Sequence, residues 1–547
     1  VENAKIVQRL DALMALRKST IEDSWDKIEQ YIAPIRGGKF FNEQQSEAEI
    51  DFDRPEIFDD TAITGADTLA SAIHGALTSP ALQWFGMRFR SDELNSDNES
   101  MEWLEKCADE VYYAIQDSNF NIEISESYLD LVGFGNTCLV QEETNTEVWE
   151  GIDFAAVPLR EVYFDENHKG QVKNFYRRLQ WTALKIVDKF GEENVPDHIV
   201  EKSKKANQGD NKIDVIFCVY DRNLKDKPAL GTKVAKELRP FGWKYVLKNG
   251  QVTLGEDGGY YEMPGYVGRW RKTSGSIWGY GPGNLAINTV ITINTYTELV
   301  LNAAEKAIDP AIMVTERGLI SDPDITPGGV TVVRSLENSM QPFESRARFD
   351  VSNIEVEKLK AQVRAIFRTD QLELKDSPAM TATEASIRYE LMNRLLGPTL
   401  GRIQNDILSP TISRTFNILL RAGRLPEMPE KVKAGGEVDI EYTGPLSRAQ
   451  KMDSVSATER WLGSLAQLSE IYPEFRDLPD VDEAGRDMAT KMGVPANNVR
   501  SRDEVKQLRK DREEAQAAAQ KAELAAMEGE AMKSQGEGRQ ALEGEQP

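Results

Sequence analysis

Three glycines and a proline fall within six positions at Trp278-Gly279-Tyr280-Gly281-Pro282-Gly283. No regular element runs through such a stretch, because glycine frees the backbone to turn and proline withholds a donor. Helical patterning begins just after it, at Asn284, and holds to Ile308. Val290, Ile293, Tyr296 or Thr297, Val300, Ala303 and Ala307 share one stripe at three-and-four spacing, and Asn288, Thr292, Thr295, Glu298, Asn302 and Glu305 share another. Such a helix would extend roughly 37 Å at about 1.5 Å per residue. Asp309-Pro310 ends it.

A second helix is predicted from Ser352, where Glu355 three residues on completes a capping-box pattern. Its apolar stripe is Val356, Leu359, Val363 and Ile366, reaching Phe367. Between the two helices, Ile312–Val314 and Val330–Val333 read as short strands, separated by the turn formers Ser321-Asp322-Pro323-Asp324 and Thr326-Pro327-Gly328-Gly329. The pattern is a small β-rich insert held away from a body by two antiparallel helices.

The rest of the chain reads as α+β and predominantly helical. Residues 1–34 carry one amphipathic helix with Ile6, Leu10, Leu13, Ile21, Trp25, Ile28 and Ile32 on its apolar face, and 35–56 is a polar loop. The helix Asp59–Leu77 is rich in small residues, among them Ala62, Gly65, Ala66, Ala70, Ala72, Gly75 and Ala76, and is read as buried by close packing. A strand at 83–89 and helices at 100–116 and 123–133 follow. From Thr137 to Trp270 strands dominate, at 137–140, 161–164, 174–176, 213–220 and 243–247; one helix interrupts at 183–190, and 202–212 reads as a polar connector. After a second connector at 371–378, a third long helix opens at Thr381, with kinks or breaks expected at Gly397-Pro398 and Ser409-Pro410. A strand at 437–442, helices from Leu446 and at 481–492, and an Ala, Glu, Gln and Lys-rich helix at 501–531 complete the chain, with a disordered tail from Ser534.

With 547 residues, several domains are expected. Mean hydropathy of −0.49, no apolar run near the roughly 20 residues of a membrane span and no secretory h-region point to a soluble protein with no membrane partner. Cys107, Cys138 and Cys218 are too widely spaced for a metal motif or disulfide framework, which fits a reducing, cytoplasmic site of synthesis. The net charge of −24 argues against a conventional nucleic-acid binder but permits a surface that DNA passes without adhering.

No Walker A, HExxH, GxSxG or CxxC pattern occurs, and His74, His168 and His198 are far apart. No cofactor is expected. Asp51, Asp53, Asp59 and Asp60 form the best enzyme-like cluster; they could hold Mg²⁺ for phosphodiester hydrolysis, or be a solvated loop and helix N-terminal acids, the reading that the acidic composition favours. In the connector 371–378, Lys375 could touch phosphate or sit in an ordinary loop. On the second helix Lys358, Lys360 and Arg364 could face DNA or pair with acids such as Glu355 and Glu357.

The order of parts resembles the portal, or head-to-tail connector, proteins of short-tailed podovirus-type bacteriophages. The carrying stretches are Ser79-Pro80 through Trp84-Phe85, Tyr280-Gly281-Pro282-Gly283, Ala303-Ala304-Glu305-Lys306-Ala307 with Asp309-Pro310, and Met380-Thr381-Ala382-Thr383-Glu384-Ala385. Together they span most of residues 1–500. The resemblance implies a wing at 1–283 and 383–445, stem helices at 284–308 and 352–370, a clip at 309–351, a tunnel loop at 371–382, a crown at 446–500 and a possible helical barrel within 501–547. It further implies a twelve-copy ring at one capsid vertex, assembled in the host cytoplasm and resident in the virion. Double-stranded DNA would be packaged and ejected through that ring. A terminase packaging motor and then tail adaptor proteins would dock on the clip, through residues such as Asp322, Asp324, Arg334 and Arg346, with major capsid and scaffolding proteins as further partners. Leu372, Leu374, Lys375, Lys358, Lys360 and Arg364 would line the channel, and Val290, Ile293, Val300, Val356, Leu359 and Val363 would join neighbouring stems. The chain itself would not be an enzyme. Two other readings are a tail-adaptor ring and a metal-dependent nuclease built on the cluster near Asp59.

Overall fold

The structure, a computed structural model, describes residues 2–34, 56–80, 83–95, 97–144, 149–205, 212–224, 228, 231–272, 275–308, 312–314, 340–342, 349–372, 397–433, 437–442, 445–492, 494, 498–500, 502, 504–521 and 527. The fold is α+β and divides into two compact units, Val1–Trp84 with Asp109–Leu425, and Phe85–Ala108 with Pro426–Pro547.

The first unit is built around a five-stranded antiparallel sheet. Its strands, in spatial order, are Val162–Glu166, Val172–Thr182, Lys212–Asp221, Phe241–Leu247 and Thr253–Tyr260. Side chains alternate across it as strand geometry requires. Tyr163, Tyr176, Ile216, Cys218 and Val246 point to one face, where Ile6, Val7, Leu10 and Leu13 of the first helix cover them. Phe217, Trp243 and Tyr245 point to the other, in an aromatic layer with Trp181 and Phe190. A three-stranded sheet, Ile152–Ala156, Asn136–Glu143 and Gly265–Arg269, lies in the same unit. All three cysteines are buried free thiols, and burial pushes the Cys138 and Cys218 thiols up to about 12.

Several expectations are corrected. The N-terminal segment is two helices, Asn3–Thr20 and Glu22–Tyr31. The hydroxyls of Ser19 and Thr20 donate back to the Leu16 carbonyl at 2.9 and 2.8 Å, the kind of side-chain competition that bends a helix. The segment read as a polar connector after Lys202 instead finishes the helix Asp197–Lys204, and residues 206–211 lie outside the described residues. Three strands had no clear signal: Ile152–Ala156, Thr253–Tyr260 and Gly265–Arg269. Of the kink or break expected at Ser409-Pro410, the break does not occur. The helix passes through a π-turn over Gln404–Leu408, with the Ser409 amide donating to the Gln404 carbonyl, and continues as Ser409–Ala422. Proline cannot donate to the carbonyl four residues back, so the extra residue is absorbed in the turn just before it.

The second unit pairs Phe85–Phe89 with Val438–Tyr442, a ladder closed between strands some 350 residues apart in sequence. The helices Pro445–Ile471 and Val481–Met492 pack together, and residues 504–521 are helical.

One buried cation organises the N-terminal helices. The Arg17 guanidinium donates to the carbonyls of Leu159, Val162 and Arg160, to the Tyr163 hydroxyl and to Glu22, and stacks 3.8 Å over the Tyr163 ring. A charge with every donor engaged is tolerated in the interior, but removing it strands all of its acceptors. Arg17→Met should therefore lower stability by about 3–5 kcal/mol, read as a fall in the urea midpoint of the wild-type unfolding curve.

Candidate functional site

The glycine run and the two helices beyond it form the part of the chain that function must explain. The helix Phe120–Phe134 ends at Gly135, whose φ of +75° is the left-handed conformation favoured at this position. Directly against this turn lies the backbone of 279–283. A Cβ built on Gly283 would meet the Gly133 carbonyl oxygen at 2.0 Å, and one on Gly281 would meet the Gly135 Cα at 2.6 Å. The glycines therefore serve close backbone approach as much as turning. Asn136 sews the two stretches together: its side-chain oxygen accepts from the Gly279 amide at 2.7 Å, and its amide group donates back to the Gly279 carbonyl at 3.0 Å. Trp278 packs edge-on against Trp25 and Phe164, with centroids 5.0 and 4.9 Å apart. Beside this node Glu166 takes ion pairs from Arg269 and Lys272, while burial pushes the Asp406 carboxyl above its usual range against the pull of Arg269 and Arg402.

From this anchor the long helix runs Pro282–Ile308, opening with proline at a position where its missing amide costs nothing. Its first half is held by the body. Ala286, Ile287, Val290, Ile293 and Asn294 are buried, against the helices Glu22–Tyr31 and Phe120–Phe134 among others. The opposite face is open: Leu285 is 60 %, Tyr296 43 % and Leu299 60 % exposed, in line with Asn288 and Thr292. The return helix runs Phe349–Phe367, three residues longer at its start than predicted, so Ser352 lies inside it rather than capping it. It packs along the long helix and onto the small-residue helix Thr61–Leu77. A Cβ on Gly65 would lie 3.2 Å from Phe367, so the small residue there admits the return helix. Smallness is not uniform burial, however; Ala62, Gly65, Ala66, Ala70 and Ala76 are buried, while Gly75 faces solvent. Beyond the helices, Ile312–Val314 and Met340–Pro342 pair antiparallel, as expected of a β-containing insert.

The residues proposed to join neighbouring stems are sorted by this geometry. Val290, Ile293 and Val363 are 2 %, 1 % and 0 % exposed within the single chain, covered by its own helices. Val300, Val356 and Leu359 are half-buried. Leu285 and Leu299, which no sequence signal singled out, and Tyr296, which lies on the predicted stripe, are exposed; a helical stripe shows which residues share a face and not what covers it.

Two residues placed in rival chemistries turn out to neutralise each other. Lys360 Nζ lies 2.6 Å from Asp59 Oδ2, with the side chains 23 % and 5 % exposed. Asp59 Oδ1 accepts from the Thr61 amide at 3.2 Å, so this carboxylate holds the start of the small-residue helix and a cation rather than a metal site. Asp60 is exposed, and Asp51 and Asp53 lie outside the described residues. Among the described residues no group of three or more His, Cys, Asp or Glu could hold a metal ion. Lys358 pairs with Glu355 at 2.7 Å on the surface, and Arg364 and Leu372 are partly exposed. Leu374, Lys375, Asp322, Asp324, Arg334 and Arg346 lie outside the described residues, as does Val330–Val333. His74 packs beside Tyr128, and burial lowers its pKa. No helix among the described residues is long and apolar enough to cross a membrane.

Residues 3–499 match the family described as bacteriophage head to tail connecting protein, and the chain belongs to that family. It is 25 % identical over 534 residues to a probable portal protein of Bordetella phage BPP-1, covering 96 % of this chain and 93 % of that one. To the portal protein of Salmonella phage epsilon15 it is 23 % identical over 529 residues, covering 94 % and 92 %. A chain of the virion of the native gene transfer agent particle aligns at 8 % identity with a TM-score of 0.36, over 73 % of this chain and 85 % of that one, too slight a likeness to argue from.

The interlocked glycines make a paired test. Gly283→Ala must push its methyl into a backbone carbonyl and should cost on the order of 3 kcal/mol or more. Gly75→Ala, with nothing within 4 Å, should stabilise its helix by about 0.5–1 kcal/mol. Urea unfolding of the two variants should shift in opposite directions.

Proposed function

We propose that copies of this chain assemble into the portal ring at one capsid vertex, twelve in number as the resemblance implies, with their helix pairs side by side around an axis. The observation that carries the reading is the division of the long helix into an anchored face and an open one. Leu285, Tyr296 and Leu299 expose apolar surface in one row along the helix, and an apolar row of this kind suits a contact with another copy. Burying the exposed part of each between adjacent copies would contribute on the order of 1 kcal/mol. A head-to-tail interface of this kind closes into a ring when its rotation closes.

Double-stranded DNA is the cargo of such a ring. A net charge of −24 supports passage over adhesion, since a surface of like sign to the phosphates repels them. Lys358 and Lys360, candidates for DNA contact, are engaged with Glu355 and Asp59, which favours a channel of weak and sequence-blind contacts. In this reading Lys375 and Arg364 steady the passing duplex. The insert between the helices receives the packaging motor and later the tail adaptors, and capsid and scaffolding proteins meet the body. No reaction is assigned to the chain, and the packaging ATPase is a separate protein.

Placing two carboxylates on the open face tests the ring. Tyr296→Asp with Leu299→Asp should reduce the particle from ring to monomer mass in light scattering, with unchanged helical circular dichroism. A ring that survives both substitutions would refute this interface.

A further inference from the structure

The open row on the long helix is only one side of a contact. A ring closes through a head-to-tail interface, in which two different surfaces meet. The return helix carries a second open face. Ile354, Lys358, Ala361 and Ala365 follow at spacings of four, three and four, so they lie on one side of it. All four are exposed, Ile354 by 57 %, while Val363 and Phe367 on the opposite side are buried. The two helices pack along each other, so the faces they leave open look away from their common seam.

Charge favours these two faces over others. Each copy carries a net charge of −24, and surfaces of like sign repel when brought together. The row Leu285, Asn288, Thr292, Tyr296 and Leu299 contains no carboxylate. The face on the return helix contains a single charge, the cation of Lys358, with Glu355 and Glu357 to either side of it. Size is complementary as well, since the long helix offers large side chains and the return helix offers two alanines.

Heights along the pair match. Asn294 of the long helix accepts from the Phe58 amide at 2.9 Å, and Lys360 of the return helix lies 2.6 Å from Asp59, the next residue. Asn294 and Lys360 therefore stand at nearly the same height. The rods run in opposite directions, so height is kept when the number rises on one and falls equally on the other. Tyr296 is then level with Lys358, and Leu299 with the turn that holds Ile354. Copies related by rotation about an axis along the rods meet at equal heights.

We infer that the open row of the long helix seats on the return helix of the next copy, with Leu299 against Ile354 and Tyr296 against Lys358. The pairing rests on the ring proposed above and assigns the other side of its contact. Leucine on isoleucine removes apolar surface of both from water. The Lys358 ammonium meets an aromatic ring, whose face attracts a cation. Ala361 and Ala365 let the two helices approach closely.

Introduced cysteines test the pairing, because all three native thiols are buried. Assembled Leu299→Cys/Ile354→Cys protein is oxidised, its free thiols are blocked, and it is run on a denaturing gel without reductant. A ladder of covalent species beyond the dimer should appear, since each copy makes one bond forward and one back. Leu299→Cys alone should give no covalent species. Leu299→Cys with Ala365→Cys should give none either, because Ala365 lies about 16 Å further down the helix than Ile354, outside the reach of a disulfide. Light scattering on the same samples reports the ring. Rings of wild-type mass that yield no ladder from the first pair would overturn the pairing and leave the ring standing. Dimers from Leu299→Cys alone would show the row packed on its own copy, and a ladder from the Ala365 pair would show the heights mismatched; either overturns the pairing. A wild-type chain that stays at monomer mass would overturn the ring, and the pairing with it.

Discussion

Contact between two backbones without side chains between them is the constraint on which the rest of this structure depends. The turn at Gly133–Gly135 and the run 279–283 approach so closely that a methyl group on Gly281 or Gly283 would overlap main-chain atoms. Asn136 bonds both polar groups of Gly279, which satisfies the peptide that this proximity removes from water. Trp25, Phe164 and Trp278 fill the space around it. The direction in which the long helix leaves the body is set there, and with it the placement of the return helix and of the insert they carry.

Electrostatics in this acidic chain is divided between interior and surface. Arg17, Lys360 and Arg269 are largely removed from solvent and matched to acceptors, so they act as structural elements. A cation counted in the sequence is therefore a poor guide to what a passing phosphate backbone would meet.

Local chemistry was legible in the sequence, and long-range pairing was not. The end of the long helix near Ile308, the helices near Ala183–Phe190 and Val481–Met492, and the strand near 438–442 all follow from punctuation and period, whereas the long helix opens at Pro282, two residues before the expected Asn284 and inside the glycine run read as a hinge. The break between the first two helices escaped because Ser19 and Thr20 act through bonds to carbonyls that periodicity does not register. The partner of Phe85–Phe89 lies some 350 residues on, and that of Asp59 some 300; no local pattern encodes either. The stem contacts illustrate the same limit. The stripe containing Val290 and Ile293 is real, but only the fold shows that the chain covers it with its own helices.

The long helix is gripped along its first turns and released along its last, where Tyr296, Leu299, Leu301 and Ile308 stand clear of the body. In mechanical terms it is a cantilever, doubled by the return helix. A sideways push at its tip produces the greatest bending moment at the root, where the glycine backbones are already in contact and cannot yield. A joint of backbone packed directly on backbone thus sits at the point where leverage on it is highest.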